Sequence, residues 1–330
     1  AMAKVFPDSI ESFTIVPVNN GLASSAITIN RRDLETLENH VNGAELLAGR
    51  VDISDADALP ENALRSDDLY PKFTWGIAPF ANLKVFDASN PFAVSGGIRA
   101  KMKYQVSPGF SISGVASKRF LNDDTSPSPS FSGLPHVRTD IGQYNLQADP
   151  GIDKLSADYV FKLAPAVYGR ISAGYLERMF GGVSAEVLWK RADLNWGLGA
   201  EVNYVKQREF KQLFGFQDYS VATGHVSAYY ETKNGFEFQV DVGRYLAGDV
   251  GATVSIDRSF DNGWRVGGFV TLTDADSALF GEGRFDKGVH LEIPIGWALG
   301  TASKNSMKTS LASLTRDGGQ RLNVENRLYD

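Results

Sequence analysis

From Tyr70 onward the chain alternates between apolar and polar positions. Phe236, Phe238, Val240 and Val242 share one parity, and Glu237, Gln239 and Asp241 share the other. Val289, Leu291, Ile293 and Ile295 oppose His290 and Glu292 in the same way. Trp196, Leu198, Ala200, Val202 and Tyr204 oppose Glu201 and Asn203, while Val94, Ile98, Ala100, Met102 and Tyr104 oppose Arg99, Lys101 and Lys103. Period two is the signature of a β-strand with two different faces. About fourteen such segments can be counted, the weakest being the last pair, near 305–315 and 320–329. Each runs for about 10–14 residues, longer than the ~5–6 of an ordinary strand and close to the ~9–11 that cross a bilayer at a tilt.

Short connections fall at Ser107-Pro108-Gly109, Ala164-Pro165, Asp193-Leu194-Asn195, Lys233-Asn234-Gly235 and Asp261-Asn262-Gly263. Asn-Gly supplies the positive φ that a two-residue hairpin requires. Two strands separate each turn from the next, so all five belong to one end of the molecule. Aromatic residues flank most of them: Tyr104 and Phe110, Trp189 and Trp196, Tyr230 and Phe236, Phe260 and Trp264. An aromatic girdle at a membrane interface has this pattern. At the other end the connections are mostly longer, at 122–151, 209–217 and 276–286. The expected fold is therefore all-β: a transmembrane antiparallel up-and-down β-barrel of about fourteen strands, or about twelve if the last hairpin lies outside. A soluble β-sandwich also alternates and also turns on Asn-Gly, but it has shorter strands and no reason to gather aromatics at one end.

Residues 1–69 read as a small α/β segment with a linker, and 70–330 as the barrel. Phe13-Thr-Ile-Val-Pro-Val18 and Ala26-Ile-Thr-Ile-Asn30 are short strand-like runs joined across Asn19-Asn20-Gly21. Arg31 to Val41 predicts a short helix with Leu34, Leu37 and Val41 on one stripe, and 52–69 is acidic and polar. With the short turns facing the periplasm, this segment is expected there too. No signal peptide opens the chain, and Ala1-Met2-Ala3 reads as an expression remnant, so its export route is not written in it.

Composition narrows the picture. With no cysteine, a disulfide scaffold, a cysteine zinc site and a cysteine nucleophile are excluded. A formal net charge of −6 argues against nucleic acid as a partner. Glycine and aromatics are plentiful, with 33 Gly, 20 Phe, 12 Tyr and 5 Trp, as in soluble β-proteins and in barrels that alternate between lipid and a polar interior.

If the apolar parity faces lipid, the other parity lines a lumen. Arg99, Lys101, Lys103, Arg119 and Arg170 form a basic wall; Glu186, Glu201, His225, Tyr229, Glu237, Asp241, His290 and Glu292 form an acidic and polar one. Residues 72–121 carry seven Lys or Arg and one acid, while 182–262 carry eleven acids and eight bases. Opposed walls of this kind either orient a polar polymer in an open lumen or pair across it and fill it. Both readings stand at this point. Carboxylate pairs such as Glu237 with Asp241, or Glu282 with Asp286, merely share a strand face and are a weak acid–base signal. His225 and His290 have no third ligand spaced with them, so neither a metal nor a cofactor is expected.

A set of longer motifs runs through the chain. They include Leu134-Pro-His-Val-Arg-Thr-Asp140, Leu176-Glu-Arg-Met-Phe-Gly-Gly-Val183 followed by Glu186, Trp196-Gly-Leu-Gly199 and Gln207-Arg-Glu-Phe210. Asp218-Tyr219 with Thr223-Gly-His225, Gly243-Arg-Tyr-Leu-Ala-Gly-Asp249, Gly281-Glu-Gly-Arg-Phe-Asp-Lys-Gly288, Ile293-Pro294 and Thr315-Arg-Asp-Gly-Gly-Gln320 continue the series. Together these motifs resemble the YjbH family of exopolysaccharide-associated outer-membrane proteins; the resemblance covers roughly 130–320 and fits the C-terminal half of family members, which implies one barrel of a longer, two-barrel protein. It implies a role in producing or exporting a capsular or extracellular polysaccharide, and the function expected here is that of a non-enzymatic barrel of the bacterial outer membrane taking part in its secretion. The partners would be the polysaccharide, the lipid bilayer and other exopolysaccharide export proteins. The alternatives are a polysaccharide-modifying enzyme using lumen carboxylates and a plugged scaffolding barrel. Within the motifs, Glu177, Arg178, Arg208, Asp249, Glu282, Asp286, Arg316 and Asp317 gather towards the longer-loop end, as a network fixing loops over the mouth or a vestibule that binds sugar.

Overall fold

The computed structural model describes residues 6–19, 21–56, 72–85, 92–122, 133–275, 285–294, 306–312 and 317–329. Its main body is one antiparallel sheet of thirteen strands in up-and-down order. The strands are β6 (Lys72–Val85), β7 (Phe92–Ser107), β8 (Phe110–Asn122), β9 (Gly151–Ala164), β10 (Val167–Tyr175), β11 (Phe180–Lys190) and β12 (Trp196–Arg208). They continue with β13 (Phe216–Glu231), β14 (Phe236–Arg244), β15 (Val250–Ser259), β16 (Arg265–Thr273), β17 (Asp286–Pro294) and β18 (Ser306–Ala312). Among the described residues the sheet has thirteen strands, within the expected range of about twelve to fourteen, and β6 and β18 at its two edges do not pair with each other, so the sheet is open there and not a closed barrel.

One expected strand is absent. Residues 320–329 alternate in sequence, yet they form no strand and instead lie against the polar face of the sheet. The reason is in their polar positions. Arg321, Glu325 and Arg327 find buried partners of opposite charge, which an edge strand could not offer them.

Burial along the strands is inverted relative to a water-soluble sheet. Val202 and Val226 are each 63% exposed, whereas Glu201 and His225, one residue away, are each 2% exposed. The same inversion separates exposed Ile171 and Val183 from buried Arg170, Ser172 and Ser184. Water favours the opposite partition by roughly 1.5–3 kcal/mol for each large aliphatic side chain.

The short turns lie together at one end. There Trp189 and Trp196 meet at 4.7 Å between centroids, Tyr159 stacks on Phe161 at 5.2 Å, and Phe73 meets Tyr104 edge-on at 6.4 Å. The N-terminal segment docks at this end. It contains a three-stranded sheet of β1 (Ser12–Ile15), β4 (Ser25–Asn30) and β5 (Asp52–Asp55), a small hairpin of β2 (Val18–Asn19) and β3 (Leu22–Ala23), and helices α1 (Arg31–Leu37) and α2 (Gly43–Ala48). Helix α1 stops before Val41, which is exposed, and the Asn42-Gly43 break starts α2. The Ala192 N–H donates to Asp55 Oδ1 at 2.9 Å, Lys162 to the Ala56 carbonyl at 2.5 Å, and the Tyr168 hydroxyl to the Ser24 carbonyl at 3.1 Å.

The apolar core is at the opposite end. Helix α3 (Ile141–Gln147) and the preceding 133–140 segment fold inward, placing Val137 and Tyr144 against Met179, Phe180, Val205 and Leu246. Leu322 and Val324 complete the cluster, so the 317–329 segment enters the sheet through its own small core.

Candidate functional site

The sheet register sets one polar row across four strands: Arg170 opposite Glu186, Glu186 opposite Glu201, and Glu201 opposite His225. Antiparallel partners directly opposite share a face, so these side chains crowd together. Arg170, fully buried, donates from Nε to Glu186 at 2.8 Å and from Nη2 to Glu201 at 3.2 Å. The structure thus places Arg170 within the acidic wall rather than with Arg99, Lys101 and Lys103. Its strand neighbours, not its position among early basic residues, decide its company.

The 317–329 segment supplies the remaining countercharge. Arg321 donates to Asp241 at 2.8 Å and lies 3.5 Å from Glu201. Arg327 donates to both oxygens of Glu201, at 2.8 and 3.2 Å, and the Leu328 N–H approaches Glu186 at 3.2 Å. Three guanidinium groups thereby meet three carboxylates, which offsets the desolvation that a buried charge incurs. Asp241 also accepts from Ser227 and Gln239. Tyr229 carries Tyr329 face to face. His225 packs edge-on against Tyr245 at 4.7 Å, and neither of its ring nitrogens has a hydrogen-bond partner.

At the longer-loop end the connections are tied to the same segment. Arg138 donates to both oxygens of Glu177 at 2.6 and 3.1 Å, and Glu177 also accepts from the Asn323 N–H. Asp317 accepts from the Arg138 and Thr139 backbones at 2.8 and 3.0 Å. Asp249 accepts from the Gly319 N–H at 2.7 Å, and Asp286 from the Gln320 amide at 2.7 Å. The two Nη groups of Arg208 donate to the carbonyls of Glu177, Arg178, Gln212 and Leu213, while its Nε is buried without a hydrogen-bond partner. Glu282 and Arg316 lie outside the described residues. Burial and neighbouring Arg119, Arg99 and Arg208 pull the Arg178 guanidinium down to about 10, and burial pushes the Asp140 carboxyl up.

The basic wall is occupied differently. Lys101 is exposed and Lys103 half-buried, while Arg119 is buried. Lys154, a basic residue outside the expected wall, reaches Glu325 of the inserted segment. Glu237 pairs with Arg265 at 2.7 Å near the short turns, and His290 contacts Asp257. Glu292 lies opposite Arg265. Among the described residues no three His, Asp or Glu side chains gather as a metal site would require.

The inserted segment is the part that sequence reasoning missed. Its pairing with β12–β14 spans more than a hundred residues, as Arg327 to Glu201 does. A local signal did exist, because the turn at Asp193 to Asn195 fixes Glu186 opposite Glu201. Two carboxylates so placed demand cations from elsewhere.

The fold and its polar face define an antiparallel up-and-down sheet whose charged side is enclosed and whose apolar side is exposed. The profile of the YjbH family, described as exopolysaccharide biosynthesis protein YbjH, matches residues 1–330, and the chain belongs to this family. It is similar to the protein named "Uncharacterized lipoprotein YjbH" of Escherichia coli (strain K12), with 33% identity over 338 residues. That match covers 98% of this chain and 48% of the relative, so the chain spans about half the length of the curated relative it matches.

Proposed function

We propose that the chain acts as a non-enzymatic outer-membrane β-barrel in exopolysaccharide secretion, with lipid on its apolar face and polymer or a secretion partner on its polar one. The observation that carries this reading is the inverted burial: Val202 and Val226 outward, Glu201 and His225 enclosed. Such a surface is at ease in hydrocarbon and costly in water. The family's description supplies the link to exopolysaccharide, and the lipoprotein name of the relative agrees with the cell envelope. The aromatics at the short turns suit a membrane interface, and in this reading the short turns face the periplasm, as in outer-membrane barrels, and the docked N-terminal segment lies there with them. Glu186, Glu201 and Asp241 are each engaged by arginines or hydroxyls, an arrangement that suits a structural role better than acid–base catalysis.

A second reading, a barrel that passes nothing and scaffolds its neighbours, is favoured by the inserted 317–329 segment. Conductance in planar lipid bilayers separates the two. The refolded chain is expected to insert with little conductance, and a variant lacking 317–330 to give stable single-channel steps. Neutralising Arg99, Lys101 and Lys103 should then shift its ion selectivity. Insertion without steps in both forms supports the scaffold. A chain that folds without detergent and does not insert overturns the membrane reading.

A further inference from the structure

Among the described residues, three arginines of the polar face share a single buried carboxylate. Arg99 from β7, Arg119 from β8 and Arg178 from the β10–β11 connection converge around Asp153 at the start of β9. Arg99 Nε lies 3.4 Å from one Asp153 oxygen and Arg178 Nε lies 3.4 Å from the other. Neither approach is a well-formed hydrogen bond, and both Nε groups are buried without a hydrogen-bond partner. Asp153 instead accepts from Ser117 at 3.0 Å.

Arg119 is the central case. It is 6% exposed, and its Nη1 reaches the Ala148 carbonyl at 3.4 Å. Its Nε and Nη2 are buried and donate to nothing. Phe80 lies under the pair, with Arg99 4.5 Å and Arg119 5.9 Å from its ring centroid. Arg178 is steadied by Asn145 at 2.9 Å and Gln212 at 3.4 Å. So three guanidinium groups are held in place, share one buried carboxylate and keep donors unspent. Buried donors are nearly always satisfied, because an unmet one costs several kcal/mol when charged. Asp149 adds to the field on Arg119, but it is exposed.

We propose that Arg119, together with Arg99 and Arg178, binds an oxyanion borne by the polymer, a carboxylate of the uronic acid kind. A planar carboxylate matches the guanidinium fork and would take two donors at once. Lys101 and Lys103 extend the same face towards the short turns, a basic track for further acidic residues of the same chain. The inference rests on the exopolysaccharide reading and narrows it to acidic polymers. Free phosphate shares the chemistry, and the experiment separates it.

The full chain, folded in detergent micelles, is titrated with trigalacturonate by calorimetry, with maltotriose and inorganic phosphate as comparators. Trigalacturonate should bind, weaken with added salt, and outbind phosphate, while maltotriose should give no heat. Arg119→Met should lower trigalacturonate affinity by at least about tenfold. It should also raise the thermal midpoint of the free protein, because it removes a buried charge lacking its acceptor; a purely structural arginine would do the opposite. Arg119→Lys keeps the charge and loses the fork, and should bind with intermediate affinity. Undiminished binding by Arg119→Met, equal binding of maltotriose, or no binding by the folded wild type overturns the site. Phosphate binding more tightly than trigalacturonate overturns the polymer as its source. These readouts are independent of membrane insertion, so a failure here is distinct from a failure of the barrel reading.

Discussion

Tyr329 lies flat on Tyr229, with ring centroids 3.8 Å apart and 9° between the planes. Asp317, at the other end of the same segment, is tied to Arg138 and Thr139 among the long loops. The segment therefore runs the depth of the sheet, from the loop end to the short-turn end where β13 turns into β14. An aromatic pair of this kind adds about 0.5–1.5 kcal/mol beyond its buried area. Tyr329→Ala is expected to loosen the segment's far end. Because the chain has no cysteine, a spin label on Asn326→Cys reports this directly, and its spectrum should sharpen in the Tyr329→Ala background.

Glu201 is the acceptor that gathers Arg170, Arg327 and the Asn203 amide. Removing its charge leaves enclosed guanidinium groups without their partner, a change that costs roughly 3–5 kcal/mol in comparable buried pairs. Glu201→Gln should lower the urea midpoint of the detergent-folded chain. Arg327→Gln should lose less than its own share once Glu201 is already changed, and a double-mutant cycle measures that coupling.

Val226 points away from the polar face on a long central strand. With lipid outside, Val226→Arg should reduce folding stability in vesicles by roughly 2–4 kcal/mol. With water outside the same change would cost almost nothing, so the urea titration discriminates sharply.

Asp317 holds the 133–140 segment by two backbone N–H groups and the Thr139 hydroxyl, the last at 2.8 Å. Hydrogen bonds to a charged acceptor contribute about 1.5–3 kcal/mol. Asp317→Ala should accelerate hydrogen exchange across 133–148 while leaving the short-turn end unchanged.

Burial raises the Asp140 carboxyl above its ordinary value, against a smaller opposing effect of His136. The folded state therefore binds this proton more tightly than the unfolded one. Deprotonation costs stability as pH rises from the ordinary carboxylate range through the raised value, and that cost is relieved as pH falls below the ordinary range. Asp140→Asn should raise the thermal midpoint at neutral pH and leave it unchanged near pH 3, an expected outcome set by this order of magnitude of carboxylate pKa values.

Much of the sheet was legible because period-two alternation is a local property. Phe236, Phe238, Val240 and Val242 can be assigned to one face without knowing which strands adjoin them. The five short turns were legible for the same reason, since Asn234-Gly235 and Asn262-Gly263 specify their hairpins by themselves. The 320–329 stretch defeated that logic. Leu322 and Val324 alternate with Arg321, Asn323 and Glu325 as a strand would, and only partners far away in sequence reveal that its polar positions face inward. The walls were partly legible. Charge sign along the chain located Arg99 and Lys101 together, but Arg170 follows cross-strand register, and the sequence does not display Glu186 and Glu201 as its neighbours until the hairpins are paired.

The described strands number thirteen, an odd number, and in an up-and-down sheet that has a directional consequence. β6 and β18 bound the sheet and run the same way, from the short-turn end to the long-loop end. A seam made by joining them directly would be parallel, the slightly weaker pairing per residue. A single strand laid between them in the opposite sense would be antiparallel to both neighbours and would make the count even, as in bacterial outer-membrane barrels. Among the described strands, the shared direction of β6 and β18 means that each rim pairs antiparallel only with a strand running from the long-loop end to the short-turn end.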